Sequence, residues 1–361
     1  MEEGISLLMR GIPSSFIFTI ISFIIKLFVM NLRNKLMMTV LLLGVLLGGC
    51  NLIYEDLSEC PQGVYVRYYS KTPCAVDSTF LGAEGAQTVY LFAFDENNKL
   101  YNVVSENNVV LDRNYEMLVP LTKGSYTFIG WAGVDDTFLK GAFTKGKTTK
   151  SEVMLTLKND KGFGLLPQTK KVWQGESGIV VMPDAEEVGS LYKHTAINLL
   201  EKTNRINVTV KIHESVKDKL DPKDFVVAIS SANGTLNIDG TMPLGVDALK
   251  AVVNYKPFGT TYTDDSMKTS FTVMDLKTGY NNIISLVNTK TGQEFLGEKG
   301  LDLIGKILLG NNNPNVNLAC DHDFNVELVI KDKCLNCGTY TCFAIYVNNW
   351  MVHSYETELG L

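Results

Sequence analysis

The sequence predicts an all-β protein of two tandem β-sandwiches, and three observations lead there. Short runs rich in β-branched and aromatic residues alternate with period 2, as half-buried strands do. Turn residues (Gly, Asn, Asp, Lys) punctuate those runs at short spacing. Almost no segment repeats its apolar residues every 3.6 positions, which argues against an α/β arrangement.

The elements follow in order from residue 62 onward. Residues 64–69 (VYVRYY), 89–94 (VYLFAF) and 126–131 (YTFIGW) read as strands. Between the second of these and the apolar residues after it, Asp95-Glu96-Asn97-Asn98-Lys99 reads as a hairpin turn, because Asn and Asp tolerate left-handed backbone. Residues 153–157 and 179–182 are further candidates, followed by a polar stretch, 183–193, that marks the expected domain boundary. A second set of strands then runs through 206–212, 225–230, 271–274, 282–286, 324–330, 343–347 and 350–353. One helix is expected over 301–309, where Leu301, Ile304 and Leu308 share a face, with Asn311-Asn312-Asn313-Pro314 ending it.

The chain of 361 residues begins with segments of another character. Residues 12–29 are almost wholly apolar. After Arg33 and Lys35 a second apolar run, 36–48, closes on Leu47-Gly48-Gly49-Cys50. A cationic start, a thirteen-residue apolar stretch and small residues before the end form an export signal, too short for the roughly 20 residues a bilayer-spanning helix needs. The ending resembles a bacterial lipobox, in which cleavage precedes a lipidated cysteine, so Cys50 is the expected lipid anchor and Met30 the expected start. The domains are then a signal region 1–49, a first sandwich 50–190 and a second 191–361. Acyl chains contribute about 0.8 kcal/mol per buried methylene, so several of them hold a protein to a membrane without a spanning helix.

The formal charge of −6 deepens once the signal region is removed, because that region carries more cations than carboxylates. Nucleic acid is thereby excluded as a partner, since phosphate neutralisation needs a basic face. Setting Cys50 aside, six of the 7 cysteines remain: Cys60, Cys74, Cys320, Cys334, Cys337 and Cys342. In an exported chain they suggest disulfides formed within each sequence cluster, with Cys60 expected to pair with Cys74. A four-thiolate zinc site or a redox pair at Cys334 and Cys337 stays open for the C-terminal group.

Motifs of catalysis and cofactor binding are missing. His194, His213, His322 and His353 have no metal-ligand spacing, and Asp321-His322-Asp323 reads as a solvated loop. Gly175-Glu176-Ser177-Gly178 is not a nucleophile elbow, and the carboxylate pairs Asp135-Asp136 and Asp264-Asp265 read as turns. No enzyme, no cofactor and no metal is expected.

Several of these pieces together resemble the FimB-like fimbrial anchor subunits of the fimbrillin superfamily. They are the lipobox cysteine, Asp56-Leu57-Ser58-Glu59-Cys60-Pro61, the strands at 64–69 and 89–94, the run from Gly124 to Gly133, and Val347-Asn348-Asn349-Trp350 as a closing strand pair. Where the family has Gly in that last turn, Asn349 stands here, and Asn also accepts positive φ. The resemblance implies transthyretin-like Greek-key sandwiches and a surface-exposed lipoprotein at the base of a type V pilus. It would end assembly and join the major fimbrial stalk subunit by strand addition, in which an open sheet edge takes a neighbour's strand. Carried onto this chain, Val64, Val66 and Tyr68 form one face of the strand nearest the lipid. The candidate donor region holds Phe343, Ile345, Val347 and Trp350. Arg67 is the arginine that a polymerising subunit would be cut after and an anchor would keep, and Trp131 and Trp350 pack against strands. The alternatives are a polymerising or tip subunit, a lipid-tethered glycan- or nutrient-binding protein, and an exported hydrolase.

Overall fold

A computed structural model describes residue 22 and residues 60–82, 88–334 and 338–355. Met30, Cys50, Cys337 and the expected signal region lie outside the described residues. Residues 61–361 form one compact unit.

Among the described residues, the strands build five sheets. Sheet I places Gln62–Tyr69 in the middle, parallel to Leu191–Asn198 on one side and antiparallel to Glu116–Pro120 on the other. Sheet II runs Leu200–Glu201, Trp173–Glu176, Gly124–Ala132, Thr88–Asp95, Leu100–Asn107, with Val180–Met182 also paired to Gly124–Ala132. Sheet III has the order Phe258–Tyr262, Ser266–Met274, Thr203–Ile212, Asp323–Asp332, Tyr340–Val347, Trp350–Ser354. Sheet IV has the order Leu301–Asp302, Ile283–Asn288, Phe225–Ser231, Val253–Tyr255, Phe163–Gly164, Asn159–Asp160. Sheet V is a small one of Thr235–Asn237, Met154–Leu157 and Phe138–Leu139.

Sheets I and II enclose a core that includes Val64, Val66, Tyr68, Val89, Leu91, Ala93, Tyr126 and Phe128. The opposite face of sheet II is also buried: Phe92, Phe94, Ile129 and Trp131 belong to a second core that runs on through Leu155 and Leu236 of sheet V into sheets III and IV. Burial on both faces is why residues 89–94 and 126–131 read as nearly unbroken apolar runs.

The two halves of the chain exchange strands. Leu191–Asn198 pairs with the first strand and Leu200–Glu201 with Trp173–Glu176, so the first sandwich extends past the boundary expected at residue 190. Within the polar stretch only Ala185–Val188 is helical, capped by Asp184, whose side chain accepts the Glu186 amide. Asn159–Asp160 and Phe163–Gly164 enter sheet IV, while Thr235–Asn237 closes sheet V. The Trp131 indole N–H donates to the Ile238 carbonyl at 2.8 Å, a further link between the halves.

Local chemistry explains the turns. Asp95 Oδ1 accepts the amides of Asn97 and Lys99 at 2.9 and 2.8 Å while Asn98 adopts φ 57°, giving the expected hairpin. Asn348 and Asn349 take φ 47° and 65° at the last hairpin, the left-handed pair that a two-residue turn needs. The helix expected over 301–309 starts later and is shorter. Leu301–Asp302 pairs as a strand with Ile283 and Ile284, and Asp302 Oδ1 then accepts the amides of Ile304 and Gly305, opening one π-helical turn over Leu303–Leu308. Four of its apolar residues are buried, so tertiary packing holds it.

Gly175 lies where sheets I and II meet, and a Cβ there would sit 2.1 Å from the Asn198 carbonyl oxygen. Backbone cannot yield as a side chain can. Gly175→Ala is expected to cost about 3 kcal/mol in urea unfolding, the upper end of the overpacking range. Because the halves share strands, that unfolding should be one transition; two separated transitions would contradict the interlock.

Candidate subunit-docking edges

The strand nearest the N-terminus is locked in place. From Gln62 to Tyr69 each residue faces a partner on Leu191–Asn198, and from Gly63 to Arg67 also one on Glu116–Pro120. Val64 and Val66 are fully buried and Tyr68 is 2% exposed. The Tyr68 ring lies over Gly130, where a side chain would collide with it, and its hydroxyl points at Met117 Sδ at 3.8 Å. Burial pushes the Tyr68 phenol well above its ordinary pKa, with Tyr115 and Glu106 adding to the effect. At roughly 1.5–3 kcal/mol per buried aliphatic side chain, Val64 and Val66 alone hold this strand with an energy that is a sizeable part of a domain's stability.

The outer face of the same strand is polar and aromatic. Arg67 pairs with Glu116, whose carboxylate also meets His194 Nδ1 at 3.2 Å, and Tyr65 stacks on the His194 ring with centroids 5.2 Å apart. The Arg67 side chain is 57% exposed, so solvent screens the ion pair and it holds the strand only weakly. The apolar inner face does the holding. Both backbone edges at Arg67 are occupied, by Glu116 and by Ala196.

Toward the other end of the described residues, sheet III ends in an edge strand. Tyr340–Val347 pairs with Asp323–Asp332 and then, through the Asn348-Asn349 turn, with Trp350–Ser354, the last strand of sheet III. Ile345 and Val347 are core residues. Phe343 is half-buried, with Lys331 Nζ 4.4 Å from its ring centroid. Trp350 is 40% exposed and Met351 44%, so Trp350 is not the packed residue expected from sequence: it starts the edge strand beside the turn and faces solvent. A groove of about 710 Å³ runs beside this edge, lined by Leu301, Gly305, Asn311, Ile345 and Val352 among others. Asn311 Nδ2 donates to the Val352 carbonyl at 2.8 Å and covers part of the edge.

The cysteines depart from the sequence expectation. Cys74 is bonded to Cys320, with Cα atoms 6.0 Å apart and 246 residues between them in sequence, while Cys60 is an exposed free thiol. Pairing within each cluster was inferred from nearness in sequence. Folding instead brings the loop after the first strand against the turn before Asp323–Asp332, where Asn317 Nδ2 also reaches Cys74 Sγ at 3.3 Å. This bond takes Cys320 away from any four-thiolate site, and among the described residues no cluster of His, Cys, Asp or Glu is built to hold a metal ion. Cys334 is disulfide-bonded. Cys342 is a buried free thiol, pushed up to about 12 by burial.

Asp323, expected in a solvated loop, instead opens a strand and pairs with Arg205, which also holds Glu201 across a 2.5 Å bond. His322 Nδ1 meets Asn204 Oδ1 at 3.2 Å. Sequence reasoning missed this junction because Asp323 and His322 lie 118 residues from Arg205 and Asn204, their partners.

The family described as fimbrillin-A associated anchor proteins Mfa1 and Mfa2 matches residues 57–356. A minor fimbrium anchoring subunit, Mfa2 of Porphyromonas gingivalis, is 34% identical over 319 residues, 87% of this chain and 92% of that protein. The solved structure of the fimbrial anchor protein Mfa2 from Porphyromonas gingivalis superposes with a TM-score of 0.71 at 31% identity, covering 82% of this chain and 100% of that one. A solved structure from Bacteroides thetaiotaomicron, at 21% identity and a TM-score of 0.64 over 83% of this chain and 99% of the other, shares the fold.

Two measurements check this geometry. An arginine-specific protease should cut the native protein in the exposed turn at Arg113 and leave the Arg67–Tyr68 bond intact until unfolding; early cleavage at Arg67 would refute the locked strand. A thiol reagent at pH 8 should label Cys60 at once and Cys342 only in denaturant, since burial both shields that thiol and keeps it protonated.

Proposed function

The chain belongs to the family of fimbrillin-A associated anchor proteins, and from that premise we propose that it is the lipid-held base of a fimbria on the outer membrane. It ends assembly there and joins the last stalk subunit by strand addition. Fimbrial anchoring is the role of the relative it matches over most of its length. The finer reading rests on one observation above all: the first strand is retained at the centre of its sheet, with Arg67 paired on both backbone edges.

Strand addition needs an unfilled edge with an apolar face to fix register. In the first sandwich the central place of sheet I is filled by the chain's own strand, so a neighbour's strand cannot enter there. The edge offered to the stalk is the start of the last strand of sheet III, where exposed Trp350 and Met351 adjoin the groove lined by Leu301, Ile345 and Val352. Lipid on Cys50 would complete the tether, twelve positions before Gln62, the first described strand residue that pairs.

Mass and N-terminal analysis of the protein from outer-membrane fractions should give an acylated Cys50 with the whole chain behind it. A lipid-free chain starting at Tyr68 would instead identify a polymerising stalk subunit. At the other end, Trp350→Glu with Met351→Lys should leave the circular dichroism spectrum unchanged and reduce the stalk subunit recovered with the anchor at least tenfold. Undiminished recovery would move the joint to another edge.

A further inference from the structure

We propose that the Cys74–Cys320 disulfide is a force clamp, carrying tension covalently from the membrane end of the molecule to the fibre end. This rests on the anchoring reading, because only an anchor is pulled between those two ends. The geometry that points to it is the position of the two cysteines relative to the two strands a load would meet.

Tension from a tether before residue 60 enters at Gln62–Tyr69. That strand is pulled along its own axis, against a parallel neighbour and an antiparallel one. Its main-chain bonds are therefore strained together in shear and cannot be opened one at a time. Cys74 follows just after the strand, in a loop held by reciprocal bonds of 2.8 Å between the main chains of Ser70 and Thr79. Its partner Cys320 stands just before Asp323–Asp332, an interior strand of sheet III, next to Thr203–Ile212 and to Tyr340–Val347. The disulfide thus joins the end of the strand where load enters to the start of the sheet where it leaves.

The consequence is topological. A chain pulled from its ends transmits force through every residue between them unless a cross-link shortens the route. Here the cross-link removes a stretch with a sequence separation of 246 from that route. Sheets II, IV and V, and all but the last strands of sheet III, then carry no end-to-end tension, and their strands cannot be drawn out even after the first strand gives way. Without the bond, hydrogen bonds and apolar contacts between the sandwiches would bear the load, and those yield at far lower force than a covalent link.

Single-molecule pulling between tags at the two ends of the exported chain tests the clamp. The oxidised protein should extend by roughly 800–900 Å less than the Cys74→Ser, Cys320→Ser variant, the length of 246 extended residues at 3.3–3.6 Å each. Equal extension would overturn the proposal. In cells, the double variant should display fibres at the parental density at rest and shed at least tenfold more under shear. Equal retention under shear would refute the function even where pulling shows the clamp. The parental protein pulled before and after reduction covers the case in which the variant folds poorly. A gene-deletion strain run in the same shear assay separates the two ideas: fibres that stay attached without the protein refute the anchoring reading itself, and with it this role of the disulfide.

Discussion

Everything distinctive in this protein depends on one strand staying where it is. Gln62–Tyr69 supplies the centre of sheet I, pairs on both sides and buries Val64, Val66 and Tyr68 against sheet II. Remove it and Leu191–Asn198 and Glu116–Pro120 lose the strand that joins them, while the apolar face of sheet II opens to water. A strand with two occupied edges and an apolar inner face can be replaced only by another strand of the same pattern. Its retention therefore decides whether the first sandwich receives a neighbour or is already complete.

The second constraint is the exchange of strands between the halves. Phe163–Gly164 lies in sheet IV, Thr235–Asn237 in sheet V, and one apolar core runs from Phe92 through Leu155 to Ile284 and Val347. Two sandwiches joined by a linker could rock against each other, whereas a shared core removes that freedom. The disulfide acts on top of this. In the chain-entropy account, closing so long a loop stabilises by on the order of 5 kcal/mol, comparable to a small domain's entire stability. That thermodynamic effect and the mechanical one are separable: the first acts through the unfolded chain, the second through the path that tension takes.

Much of the fold was legible, and the reasons for what was not are physical. Strands with a clear pattern, such as Thr203–Ile212 and Asp323–Asp332, were visible because one face is core and the other solvent. Leu191–Asn198 was hidden: Lys193 and His194 sit in its middle, and it lies at a sheet edge where polar residues cost little. That omission hid the pairing of Leu191–Asn198 with the first strand, beyond the boundary expected at residue 190. The Asn348-Asn349 turn was readable because positive φ leaves a residue signature. The Cys74–Cys320 pair was not, because nothing local records which distant loops meet. The Arg205–Asp323 pair, 118 residues apart, escaped for the same reason, although Asp323 itself lay in plain view.

The two ends of the molecule make opposite use of the same chemistry. Every sheet edge presents unpaired donors and acceptors, and an unmanaged edge invites indiscriminate pairing. At the first sandwich the central position of sheet I is filled by the protein's own strand, which leaves no gap there for another. At the last strand the problem of the edge is solved by economy: Trp350–Ser354 is five residues long, Asn311 covers the Val352 carbonyl, and the Asn348-Asn349 turn fixes one end. Such an edge is too short to attract arbitrary strands, yet the adjoining groove can reward one whose side chains fit. Under the proposed reading, a subunit whose first strand fills its own sheet and whose last sheet receives a neighbour is joined from one side only. That asymmetry is what separates a terminus from a link in a fibre, and it follows from the pairing of one strand with two neighbours.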